Sequence, residues 1–317
     1  MSNDNYDPVV DIEAMNQELI SAIESAPDGH LKNASEASSK MVRRRIRENG
    51  FFRSIIPLRP VQQSELTRMP DSELPVIIDE MEPDSPGAVA IPFNDTADTA
   101  FFYGDKFVTY LAKISTREFT KNIDELRTYK TDIKAVITDN ALKDIQTLED
   151  SRGIATVDEI VGTPGVPDGA AGVVQNHVIN SDITRASYTT ILSHLEDLHL
   201  NNGVFLMNRK TAKKFLTWDR SEIGGDLAQS LLTEGLVALQ KAKIMGVPHL
   251  FTIKRNLVAD NVVYQFTEPN FLGKGYIYQD VTMYVEKKKD IIRFSAQEKI
   301  GFSIANVAGC SKTTFVP

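Results

Sequence analysis

The chain's nearest approach to a nucleophilic centre is Gly301-Phe302-Ser303-Ile304-Ala305, one residue short of a Gly-x-Ser-x-Gly elbow. Such an elbow holds its serine on a strand-to-helix turn and needs a histidine later in the chain to accept the serine proton. No histidine follows Ser303, and the alternation of Ile300, Phe302 and Ile304 is that of a strand. Gly273-Lys274-Gly275 carries a fragment of a dinucleotide fingerprint, which must open a helix to aim backbone N–H groups at phosphate. Strand-like Tyr276-Ile277-Tyr278 follows instead, so a turn is expected at Gly273–Gly275. The five histidines are His30, His177, His194, His199 and His249. On a helix, His194 and His199 would lie about 140° apart and share no face. All five are expected to be ordinary surface or core residues. Neither a Gly-x-x-x-x-Gly-Lys-Ser/Thr phosphate loop nor a His-Glu-x-x-His zinc motif occurs. The acidic pairs Glu149-Asp150 and Glu196-Asp197 are expected on solvated helix faces. No catalytic, cofactor-binding or metal-binding residue is assigned, and the chain is not expected to be an enzyme.

Composition narrows the class. The 317 residues leave room for two ordinary domains, and the 42% hydrophobic and 25% charged fractions are those of a globular protein. The 35 basic and 43 acidic residues give a net charge of −8, a poor basis for a dedicated nucleic-acid binder. Cys310 is the only cysteine, so no intrachain disulfide and no cysteine-rich zinc site can form. The N-terminus is acidic and polar, without a basic region leading into an apolar run. No apolar stretch approaches the ~20 residues of a membrane span. A soluble protein of a cytoplasm is expected.

The elements come in a distinctive order. Residues 11–25 and 35–49 read as helices; the second carries the strongest charge run, Arg43, Arg44, Arg45 and Arg47. That run is either a solvated face or an arm that meets nucleic acid or an acidic partner. Seven prolines between Pro57 and Pro92 keep residues 51–115 from being helical for long. Phe51–Ile56, Val76–Ile78, Ala88–Phe93 and Ala100–Ile114 read as β-like runs, and Asp84-Ser85-Pro86-Gly87 as a turn, so an extended two-stranded loop is expected. It must lie against something, because an isolated hairpin is marginal in water. Apolar residues from Ile123 to Leu148 at steps of three and four predict a long helix over 122–150. A Gly/Pro-rich linker over 161–175 precedes a compact α/β stretch. Its predicted helices lie around Ile191–Leu198, Thr211–Trp218 and Asp226–Gln240, and its strands at Val204–Met207, His249–Ile253 and Val262–Phe266. Alternating residues around Val281–Val285 and Ile292–Ala296 return the chain to β structure, with a turn at Lys287–Asp290.

Several runs are similar in wording to the tailed-phage major capsid proteins of the Johnson fold, the HK-ninety-seven type. They are Glu125-Leu126-Arg127-Thr128-Tyr129-Lys130, Asp139-Asn140-Ala141-Leu142-Lys143-Asp144-Ile145, Gly203-Val204-Phe205-Leu206-Met207-Asn208, Met245-Gly246-Val247-Pro248 and Lys299-Ile300-Gly301-Phe302-Ser303-Ile304-Ala305-Asn306. The resemblance spans about residues 50–310 and rests on the order and spacing of these runs. It implies an α+β fold with an N-terminal arm (1–50) and a peripheral domain in two parts (51–184 and 281–317). The first part would hold an extended loop over about 70–115 and a spine helix over about 122–150. Residues 185–280 would form an axial domain around fivefold and quasi-sixfold axes.

The function implied is a self-assembling icosahedral shell around double-stranded DNA, located in the virion and assembled in a bacterial cytoplasm. Its partners would be other copies in pentamers and hexamers, the packaged DNA without sequence-specific binding, and a portal. Separate scaffolding and decoration proteins are further candidates, and no membrane is involved. Expected assembly contacts are Arg43, Arg44, Arg45 and Arg47 on the arm, Asp84 and Pro86 at the loop turn, and Asp219, Arg220 and Glu222 near the axes. Some relatives weld their shells with lysine–asparagine isopeptide bonds. Here no lysine lies between Lys40 and Lys106, so the outward part of the loop lacks the nucleophile, and Asn306 has no evident partner. An encapsulin-like nanocompartment shell and a cytosolic nucleotide-binding α/β enzyme are the alternatives.

Overall fold

The computed structural model describes residues 29–30, 50–70, 72–82, 87–96, 99, 104–124, 133–218 and 243–317. The expected helices over 11–25, 35–49 and 226–240 lie outside these residues. The chain divides into two compact units: Met1–Arg53, Lys113–Arg152 and Tyr278–Ile300 form the first, and Ser54–Ala112, Gly153–Ile277 and Gly301–Pro317 the second.

A six-stranded sheet is built on strands β12 (Gly273–Lys288) and β13 (Ile291–Ile304). Strand β1 (Gly29–His30) pairs antiparallel with β12, and β2 (Leu58–Pro60) pairs parallel with it at Gly275–Ile277. β6 (Ala112–Ser115) and β7 (Phe119–Asn122) both join β13. The predicted alternation holds: Val281, Met283, Val285, Ile292, Phe294 and Ala296 are all buried. The expected turn narrows to Lys289 and Asp290, with Lys289 in the left-handed region at φ 55°. Gly273-Lys274-Gly275 is not a turn, because it opens β12.

Phe51–Ile56 was expected to be extended, but Phe52–Ile55 form a helical turn, α1. Phe52, Ile55 and Ile56 are buried, and their spacing of three and four is a helical one. Ile123 and Asp124 are helical, and from Ile133 a helix, α2, runs to Val161. It therefore passes the predicted end at residue 150 by three turns. Gly153 costs about 1 kcal/mol relative to alanine, too little to stop a helix whose buried side continues through Ile154, Val157 and Val161. The stop comes at Gly162, whose φ of 67° suits the residue after a helix. The buried positions step by four as Ala141, Ile145, Glu149, Gly153, Val157 and Val161. Leu148, expected on that stripe, is exposed.

Among the described residues, the sheet at the base of the extended loop has three strands. β3 (Thr67–Arg68), β4 (Pro75–Glu80) and β5 (Lys106–Tyr110) make an antiparallel sheet that pairs Ile77 with Thr109 and Asp79 with Phe107. Ala88–Phe93, expected as a strand, pairs with no strand among the described residues.

The rest of the second unit centres on a five-stranded sheet. Its order is β10 (His249–Thr252), β9 (Asn202–Asn208), β11 (Val262–Thr267), β14 (Cys310–Phe315), β8 (Asn176–Ile179). Helix α3 (Arg185–Glu196) starts at a capping box between Thr184 and Ser187. It buries Tyr188 and Ile191 against Phe205, Met207, Val263 and Phe315 of the sheet. A short helix, α4 (Arg209–Ala212), capped by Asn208, leads to a 3-10 turn whose Phe215 joins the same core. On the end of α2, Asp158 accepts a hydrogen bond from Tyr264 and an ion pair from Lys312, both on the sheet. A one-turn helix, α5 (Pro269–Leu272), delivers the chain to β12.

His177 on β8 and His194 on α3 stack with ring centroids 3.5 Å apart. Burial first, then the His194 charge, lowers the His177 pKa to about 4; burial also lowers His194. His249 is likewise lowered to about 4 by burial and meets the Tyr188 hydroxyl through Nε2 at 2.7 Å. A depressed histidine pKa means that the unfolded chain takes up the proton first as pH falls. Stability is therefore expected to drop as pH falls from 6.5 towards about 4. Thermal unfolding followed by circular dichroism across that window should show the loss, with a shallower slope in His177→Gln.

Candidate functional site

None of the nine expected contact residues falls within the described part of the chain. Arg43, Arg44, Arg45 and Arg47, Asp84 and Pro86, and Asp219, Arg220 and Glu222 all lie outside it. The described residues beside them show two other features: an apolar surface on the extended loop and a buried charge cluster in the first unit.

Loop residues Val89, Ile91 and Phe93 recur at every second position, the spacing that puts side chains on one side of an extended chain. Phe93 is fully exposed, Val89 is 77% exposed and Ile91 about half. On the three-stranded sheet, Ile78 lies opposite Val108, and Tyr110 opposite Val76. Ile78, Tyr110 and the preceding Leu74 are also exposed. Large apolar side chains gathered on one exposed excursion mark a contact surface rather than scattered surface hydrophobics.

The charge cluster joins three distant parts of the sequence. Arg53 on α1 donates through Nε and Nη2 to Glu149 of α2 at 2.8 and 2.5 Å, and through Nη2 to Glu298 of β13 at 2.9 Å. Both glutamate side chains are fully buried, and Arg53 is nearly so. Asp150 accepts the Phe52 N–H and so satisfies a donor in the first turn of α1. Burial is the largest influence on Glu298, followed by Glu149 beside it. Together they outweigh Arg53 and raise the Glu298 pKa far above the usual carboxyl range. Burial and the neighbouring Glu149 therefore favour the protonated form of Glu298. Glu149-Asp150 is thus not a solvated pair, in contrast to Glu196-Asp197, which is exposed. The step of four from Ala141 and Ile145 was the sequence signal that could have placed Glu149 inside; nothing in the sequence pointed to Arg53 or Glu298 as its partners.

Ser303 and its glycine-rich neighbours lie in a strand, and no metal-binding group of three or more His, Cys, Asp or Glu residues occurs among the described residues. Burial pushes the Cys310 thiol up to about 12.

No protein-family model matches the sequence, and no curated protein matches it either. Solved structures do. The mature capsid of bacteriophage PhiM1 is 8% identical with a TM-score of 0.58, covering 84% of this chain and 87% of that one. The capsid of the native GTA particle is 15% identical with a TM-score of 0.57, covering 84% and 90%. A virus-like particle from Pyrococcus furiosus is 15% identical with a TM-score of 0.52, covering 89% and 98%. The chain has an α+β phage-capsid fold. The likeness covers 84–89% of the chain in these three structures.

Removing Arg53 leaves two buried glutamates facing each other. Arg53→Met is expected to cost about 3–5 kcal/mol in urea unfolding at neutral pH. A raised carboxyl pKa contributes stability at low pH that is lost as pH rises through it. Glu298→Gln should therefore gain on the wild type as pH rises above the ordinary carboxyl range, measured by the same unfolding curves.

Proposed function

We propose that this chain is a major capsid protein of the HK-ninety-seven type, which assembles into an icosahedral shell enclosing phage double-stranded DNA. The observation that carries the reading is the likeness over 84% of the chain to the capsid chains of bacteriophage PhiM1 and of the native GTA particle, which it covers over 87% and 90% of their lengths. The exposed apolar loop supports it independently. Val89, Ile91 and Phe93 need a partner surface, and a second copy of the chain supplies one in every shell position.

In this reading residues 1–50 are the arm, residues 51–184 and 281–317 the peripheral domain, and residues 185–280 the axial domain. The loop over 70–115 lies on a neighbouring subunit, and α2 is the spine. The role is structural, not enzymatic. Copies associate as pentamers and hexamers in the bacterial cytoplasm and end in the virion. DNA is contained rather than gripped, as suits a chain of net charge −8. Portal, scaffolding and decoration proteins are further partners.

A second reading has one observation in its favour: the Pyrococcus furiosus virus-like particle is covered over 98% of its length. An encapsulin-like shell would hold protein cargo in place of DNA. Negative-stain microscopy of the expressed protein, with and without neighbouring genes, is expected to show closed shells. Nucleic acid in the purified particles separates the two readings. A small oligomer with measurable nucleotide affinity would instead favour an enzyme.

Phe93→Asp places a charge on the exposed stripe without touching the core. It is expected to leave the subunit folded by circular dichroism while abolishing closed shells; normal shells would remove the loop from the assembly contacts.

The shell is held by non-covalent contacts alone, because the outward loop has no lysine between Lys40 and Lys106. Mature particles boiled in detergent and reductant are expected to give one band at the chain mass of 35.3 kDa. A ladder of larger species would overturn this.

A further inference from the structure

The two stretches that imitate catalytic motifs, Gly273-Lys274-Gly275 and Gly301-Phe302-Ser303, are 26 or more residues apart yet meet at one place: under the stem of the extended loop. Gly273 opens β12 and Ser303 lies near the end of β13. A Cβ on Gly273 would collide with the Ser303 carbonyl oxygen, so the two strand ends are in close backbone contact. A Cβ on Gly301 would stand 2.6 Å from the Tyr110 carbonyl oxygen and 3.0 Å from the Thr109 side chain. The β5 strand of the loop therefore rests directly on glycine backbone.

The stem presents a matched face to this platform. Strand alternation puts Ile77 and Asp79 of β4 on the same side as Thr109 and Phe107 of β5, in directly opposed pairs. From that side Thr109 donates to the Ser303 hydroxyl at 2.6 Å, and Ser303 Oγ lies 3.4 Å from the Lys274 carbonyl oxygen. Lys274 reaches back, with its Nζ 3.3 Å from Asp79 and 5.7 Å from the centre of the Phe107 ring. Thr109 is buried at 1% exposure, whereas Lys274 is half exposed. One bond of the seat is thus shielded from water and the other is open to it.

We propose that Gly273–Gly275 and Gly301–Ser303 form a seat that fixes the direction of the extended loop, with Thr109, Ser303, Lys274 and Asp79 as positioning residues for the contact its apolar stripe makes with a second copy of this chain. The inference rests on the capsid reading for its purpose but not for its geometry. Without the seat the three-stranded sheet keeps its own hydrogen bonds and can swing as a body, so the loop segment beyond it that carries Val89, Ile91 and Phe93 would reach a neighbour at varied angles. Glycine at position 301 serves closeness rather than backbone conformation, since a side chain there would lift the stem.

Spin labels at Glu80→Cys on the stem and Glu159→Cys on α2 report the seat in unassembled subunits; the native Cys310 is buried and does not compete. Pulsed dipolar spectroscopy is expected to give one narrow distance peak in the otherwise wild-type chain. Thr109→Val with Lys274→Met should broaden or displace that peak while far-UV circular dichroism is unchanged. Gly301→Ala should do so independently, and Ser303→Ala, which removes only a hydroxyl, serves if the double variant does not fold. An unchanged narrow peak in the folded variants would overturn the seat. Because the measurement is made on free subunits, failure of any chain to form shells would strike the capsid reading and leave the seat standing. Where shells form, the loosened variants should give a wider spread of particle diameters than the wild type.

Discussion

The first unit is organised around a charge that cannot be left alone. Arg53, on a four-residue helix, joins the long helix at Glu149 and the sheet at Glu298, and all three side chains are shut away from water. One guanidinium faces two carboxylates, so the cluster is neutral only if one of them holds a proton, and burial raises the Glu298 pKa in that direction. Such a cluster adds less stability than a well-packed apolar core of the same volume, because desolvation offsets the attraction. Its value lies in discrimination. A helix shifted by one residue would put Leu148 or Asp150 in the place of Glu149 and break its pairing with Arg53. The register of a 29-residue helix over the sheet is thereby set at one point.

Much of the architecture could be read in the sequence, and the parts that could not share a cause. Alternation found β12 and β13, because a period of two in burial runs through Val281–Val285 and through Ile292–Ile300. The helix was found but ended too early, because its last turns are punctuated by Gly153 and carry fewer large apolar residues. Phe51–Ile56 looked extended because proline and aromatic residues surround it; only the burial of Phe52, Ile55 and Ile56 together reveals a turn of helix. Glu149 was misread because hydropathy assigns acidic residues to the surface and cannot see an arginine ninety-six residues away.

The candidate site was legible as a segment but not as residues. The proline-rich stretch was recognised as an excursion, and its described residues carry an exposed apolar stripe. Which side chains matter depended on strand register, which follows from long-range pairing. The glycine motifs show the same limit from the other direction. Their spacing invited a chemical interpretation, whereas their common role is to let two backbones approach, a demand that glycine meets wherever it is needed and that no local pattern announces.

The order of the five-stranded sheet has a consequence for how the chain is made. Among the described residues β8 has only β14 as its neighbour in the sheet, and the hydrogen bond from Ser311 to Gln175 spans 136 residues. A ribosome adding about 5–20 residues per second needs roughly 7–27 s to cover that interval. For that time the nascent β8 has no strand to pair with, and β11 has only β9. The sheet therefore closes late in synthesis, so a chain broken off before residue 310 carries an open edge that invites pairing with other chains. Completion of Cys310–Phe315 is therefore the step that removes this edge.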